Sequence, residues 1–185
     1  MKQRQESFTV TGKYVLACAT AVLFTWLIHE FAHWVTGEVL GNAMTLTLNA
    51  SYPESGHYVK PGHDRAVSAA GPLVTLLQAV VFYPVLKRKA RPFLYPFLFV
   101  CLYMRLLAAV LNVINLNDEG RISTGLHLGT YTVSLVVCAV LFYFTYRISN
   151  AYRLKTKFIA ATTLWIMFFS SILILGDQAL HLKLL

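Results

Sequence analysis

Residues 29–33 read His29-Glu30-Phe31-Ala32-His33, an H-E-x-x-H pattern inside a long apolar stretch. On a helix, residues four apart share a face, with Cβ atoms about 6 Å apart. His29 and His33 can therefore reach a single metal ion, with Glu30 beside it to exchange a proton with water. Two imidazoles at this pitch suit zinc, which takes nitrogen, oxygen or sulfur donors in a tetrahedral shell and keeps one position open when it is catalytic. Ionisable groups this deep in an apolar run are costly unless they have a task.

Two histidines leave such an ion short of a third protein ligand. The carboxylates available after the third apolar run are Asp118 and Glu119. Asp118 is the first choice and Glu119 the alternative. The donor set would suit metal-assisted hydrolysis of a peptide bond, in which the metal acidifies water and polarises the carbonyl. Glu30 is then the general base, passing the proton on to the leaving amine. His57 and His63 read as surface histidines.

The elements that must position these groups follow from hydropathy. The chain has 185 residues, of which 57% are hydrophobic and 13% charged. Its mean hydropathy is +0.58. A soluble domain carries about 25% charged residues, so the apolar surplus must face lipid. The net charge is +8, but the basic residues cluster in short loops beside apolar runs, as membrane-flanking charge does. That distribution excludes a soluble nucleic-acid-binding module. Cys18, Cys101 and Cys138 all fall inside apolar runs, so no disulfide framework is expected.

Five apolar runs are long enough to span a bilayer: 14–35, 66–86, 92–116, 126–146 and 158–175. The expected fold is an all-α polytopic membrane protein, a single integral membrane domain over 1–185. Between the first two runs, Met44, Leu46 and Leu48 alternate with Thr45, Thr47 and Asn49, a strand pattern. Pro53 to Gly56 is turn chemistry, with His57-Tyr58-Val59 as the returning strand. This predicts a short re-entrant or surface β-hairpin, whose edge could pair with an extended peptide. Pro72 is expected in the first turn of the second helix.

Basic residues gather before the first run (Lys2, Arg4, Lys13), after the second and after the fourth. The positive-inside rule then places the N-terminus in the cytoplasm and the C-terminus outside. It also brings the H-E-x-x-H, the start of the second helix and Asp118 to one membrane depth. Arg105 lies thirteen residues before Asp118, about 20 Å away if the third helix is continuous. It reads as a structural residue, hydrogen-bonded to carbonyls or tyrosine hydroxyls and remote from the metal.

With these motifs in order, the chain resembles the site-2 protease family of intramembrane zinc metalloproteases. The resemblance rests on His29 to His33, the hairpin of 44–59, Ala70-Gly71-Pro72, and Asn112 to Gly120, read against the family's asparagine-rich turn ending in L-D-G. It covers residues 14–121 as a three-helix core and leaves 122–185 as two additional helices. Here Glu119 separates Asp118 from Gly120, so alignment on the glycine would make Glu119 the ligand. Asn115 stands where that turn usually has proline. The resemblance implies an intramembrane zinc protease that cleaves transmembrane proteins or peptides in or near their membrane segments. The competing expectations are a catalytically inactive homologue that binds membrane proteins and another membrane metalloenzyme.

Overall fold

Thr11 starts the bundle by accepting a hydrogen bond from the Tyr14 amide through its side chain, which caps helix α1 (Gly12–Val39). The computed structural model describes residues 8–180 and 182–185; Lys2 and Arg4, counted above in the orientation argument, lie outside them. A two-stranded antiparallel sheet follows, β1 (Met44–Leu46) with β2 (Ser51–Pro53). Then come α2 (His63–Arg88), a 3-10 turn at Pro92–Leu94, α3 (Tyr95–Leu111), α4 (Asp118–Gly125), α5 (Thr132–Ala151) and α6 (Thr156–Leu180). Five helical segments, α1, α2, the 3-10 turn with α3, α5 and α6, are long and apolar enough to cross a membrane. The chain is a multi-pass membrane protein with a small β-hairpin between its first two spans.

The bundle sorts its residues as lipid requires. Tyr14, Trp26, Leu98, Leu141 and Ile166 are buried between helices, whereas Leu16, Leu77, Val136, Phe142 and Leu164 project outward. Helices in lipid gain little from apolar contact alone, so polar cross-links matter. Tyr14 Oη pairs with Thr162 Oγ1 at 2.9 Å, joining α1 to α6. Gln78 Nε2 donates to Thr25 Oγ1 and to the Phe97 carbonyl, each at 2.9 Å, so α2 is tied to α1 and α3.

Three elements differ from the sequence expectation. The third span stops at Leu111, because Asn112 folds the chain back: its Oδ1 accepts from the Asn117 amide at 2.8 Å and its Nδ2 donates to Ser134 Oγ at 3.3 Å. Asn117 then caps α4 by accepting from the Gly120 amide. The returning strand is Ser51–Pro53, not His57-Tyr58-Val59. The chain reverses earlier, over Thr47–Ala50, where the Thr47 amide donates to the Ala50 carbonyl at 2.8 Å. Buried Asp177 holds that reversal, accepting from Thr47 Oγ1 and the Leu48 amide at 2.9 and 3.0 Å. The segment carrying Val59 is tied instead to the end of α1 through Asn42 Oδ1. Finally, α2 starts nine residues before Pro72, so that proline lies inside the helix. It has no N–H to offer the Ser68 carbonyl four residues back.

Five spans place the hairpin and the loop after α2 on opposite faces of the membrane. Single cysteines at Ser55 and Lys89, with Cys18, Cys101 and Cys138 replaced, should react with an impermeant thiol reagent from opposite sides. Labelling of both from one side would refute the five-span layout.

Candidate metal centre

Helix α1 presents His29 and His33 toward α2, and both are buried, as is Glu30. The approach is close because residue 71 is glycine: a methyl group there would collide with His29 Cε1 and His33 Nε2. The Ala-Gly-Pro signal therefore has a steric meaning at this site. Each imidazole is oriented through its Nδ1. That of His33 lies 2.6 Å from the Val67 carbonyl, which can only accept, so His33 Nδ1 carries the proton. His29 Nδ1 lies 3.0 Å from Thr75 Oγ1, whose own hydrogen goes to the Gly71 carbonyl at 3.0 Å. His29 Nδ1 is therefore also a donor, and both Nε2 atoms present lone pairs.

Asp118, the first residue of α4, completes the cluster. Its Oδ2 stands 3.3 Å from His29 Nε2 and 3.2 Å from His33 Nε2, and the two Nε2 atoms are 3.1 Å apart. Bonds near 2.05 Å in a tetrahedral shell put ligands about 3.3 Å apart. The triangle thus has the size to hold a zinc-sized ion.

Glu119 does not join the triangle. Consecutive helical residues project about 100° apart, and Glu119 turns to Arg105, accepting from Nη1 at 2.9 Å. Arg105 is the main correction to the sequence reading. It contacts the site itself, with Nη2 3.4 Å from His29 Nε2 and Nη1 3.9 Å from Asp118 Oδ2. The 20 Å expectation assumed a helix continuous to Asp118; α3 ends six residues after Arg105, and the chain doubles back. The missed signal was Asn112, an asparagine able to end the helix and cap the return. Among the described residues, His57 and His63 lie outside the metal-capable group. His57 is exposed, and His63 Nδ1 lies 3.2 Å from Asn42 Nδ2.

A cavity of about 190 Å³ opens beside the triad, lined by Glu30, His33 and Asp118 on one side and by Asn49, Ala50 and Ser51 on the other. Tyr58, Val67, Ser68 and Arg121 complete it. Arg105 is not in this lining and stands behind the ligands. Compared with known proteins, the chain matches no family model, no curated protein and no solved structure.

The buried Arg105–Glu119 pair generates a stability prediction. Breaking such a pair from one side leaves an uncompensated charge and typically costs about 3–5 kcal/mol. Glu119→Ala and Arg105→Ala should each lower the unfolding midpoint markedly, and the double variant should lose less than their sum. Additive losses would refute the pairing.

Proposed function

We propose that the chain is an intramembrane zinc metalloprotease that hydrolyses peptide bonds in or near the membrane segments of other proteins. The observation that carries this reading is the triangle of facing acceptors, His29, His33 and Asp118, next to a cavity that Glu30 lines. Electrostatics point the same way. While ionised, Glu30, Asp118 and Glu119 outnumber the one guanidinium buried among the described residues, that of Arg105, so a divalent cation would balance the cluster. When bound, zinc supplies a Lewis acid that acidifies water and polarises a carbonyl.

The remaining steps fall to this chain's own residues. Glu30 takes a proton from the attacking water as the new C–O bond forms. It returns that proton to the amine nitrogen as the C–N bond breaks, which balances the hydrolysis. Thr75 and the Val67 carbonyl hold the imidazoles in the tautomer that ligation needs.

The hairpin supplies a binding edge. The Thr47 and Glu54 amides pair with the Ala50 and Ala43 carbonyls between the strands. Alternation then turns the Ser51 N–H and C=O outward, beside the cavity. The opposite edge is already covered: the Leu46 amide donates to the Leu185 carbonyl at 2.9 Å, and the Leu184 amide to the Leu46 carbonyl at 2.8 Å. An extended substrate segment would therefore join at β2.

The orientation we adopt puts the N-terminus in the cytoplasm. Lys87 and Arg88 in the last turn of α2, Lys89 and Arg91 just after it, and Arg153, Lys155 and Lys157 around the α5–α6 junction lie at the end of the bundle away from the triad. The positive-inside rule makes that end cytoplasmic.

Purified protein is expected to hold about one zinc per chain. His29→Ala and Asp118→Asn should abolish that content, whereas Glu119→Gln should retain it. Loss of zinc in Glu119→Gln alone would reverse the ligand assignment. For the chemistry, Glu30→Gln preserves side-chain size and leaves all three ligands in place. Zinc should stay, while cleavage of a membrane-anchored substrate with a helix-destabilised segment should fall by about 10²–10⁴-fold. Native-rate cleavage by Glu30→Gln would refute the mechanism. If the unsubstituted chain holds zinc and cleaves nothing, the inactive, protein-binding alternative replaces it.

A further inference from the structure

Helical serines and threonines in this chain usually return their hydroxyl hydrogen to their own helix. Thr20, Thr75, Thr145, Ser149 and Thr162 each donate to the carbonyl four residues back. Ser68 does not. It is 1% exposed, and its Oγ has no hydrogen-bond partner among the described residues. Leaving a buried hydroxyl unmatched typically costs about 1–3 kcal/mol, and alanine would fill the same space without that cost.

The placement of Ser68 is specific. It lines the cavity together with Glu30, His33 and Asp118, and it follows Val67, whose carbonyl orients His33. Across the same cavity, Ser51 Oγ on β2 is a second buried hydroxyl with no partner among the described residues. Ser68 on α2 and Ser51 on β2, each with an unmatched buried hydroxyl, thus border the cavity beside which a peptide on the β2 edge would lie.

We propose that Ser68 is a substrate-contacting residue that donates a hydrogen bond to the carbonyl oxygen of the peptide bond under attack. This rests on the proteolytic reading above and adds a named donor to it. Negative charge grows on that oxygen as water adds, so a fixed donor favours the transition state over the bound substrate. Ser51 is the companion contact, pairing with a main-chain group further along the extended segment. The ligand class is a main-chain peptide in extended form, since neither hydroxyl carries charge to select an ionic side chain.

Ser68→Ala should lower kcat by about 10²-fold with little change in KM or zinc content. Its unfolding midpoint should hold or rise, because the variant removes an unmatched buried hydroxyl. A structural serine would instead lose stability and keep its turnover. Ser170 is also buried without a partner for its Oγ among the described residues, but lies on α6 away from the cavity lining; Ser170→Ala should cleave at the native rate. A readout independent of turnover uses Ser68→Cys in the Glu30→Gln protein with the native cysteines replaced. With an added thiol oxidant such as copper phenanthroline, that protein should form a disulfide with single-cysteine membrane-anchored substrates carrying the thiol beside the scissile bond.

Native-rate cleavage by Ser68→Ala without cross-linking at 68 would overturn this inference and leave the protease reading standing. Cross-linking at 68 with no cleavage by the unsubstituted chain would overturn the protease reading, and with it the catalytic role of Ser68, leaving a peptide contact. Absence of both cleavage and cross-linking would overturn both.

Discussion

Three hydrogen-bond acceptors held within 3.3 Å of one another, with their usual protons directed elsewhere, are the constraint on which this bundle is arranged. Two lone pairs and a carboxylate oxygen repel unless a positive charge stands among them. The fold nevertheless forces them together from three separate elements. Helix α1 contributes the imidazoles, α4 the carboxylate, and α2 the oxygens that fix both rings. Gly71 allows α2 to come near enough for its Val67 carbonyl and Thr75 hydroxyl to reach them. Any side chain at that position would push the helices apart and release both tautomers.

Arg105 gives the cluster its second boundary. A guanidinium at this depth is expensive to bury, and it is placed where one charge serves several partners. It bonds Glu119, approaches Asp118 and touches His29 from the side away from the cavity. That arrangement separates the roles of the two neighbouring carboxylates. Asp118 faces the histidines because Glu119 is engaged by Arg105, and the helical rotation between them does not allow both to face the same way.

The hairpin is positioned from both ends of the chain. Trp26 Nε1 on α1 donates to Asn49 Oδ1 at 2.8 Å, while Asp177 near the end of α6 holds Thr47 and Leu48. These contacts fix the strand reversal that forms the far wall of the cavity. The last span therefore does more than add lipid-facing surface, since α6 reaches back to the element that borders the site.

Much of this was legible from residue order. Hydropathy set five spans, because lipid demands uninterrupted apolar helices, and the i, i+4 histidines already implied a shared face. Alternation between 44 and 49 indicated β1, since a strand turns successive side chains to opposite faces. What the sequence left open depended on where a helix stops and which contacts stop it. Asn112 ends α3 by bonding residues five and twenty-two positions away, and only that reversal brings Arg105 beside Asp118. The register of β2 depended on Asp177, one hundred and thirty residues after Thr47. In the sequence Asp118 was the first choice over Glu119 but not separated from it; the two became distinct once an arginine took one of them. Local periodicity is set by backbone geometry and shows in the sequence; which acceptor meets which donor across the bundle is decided by tertiary packing alone.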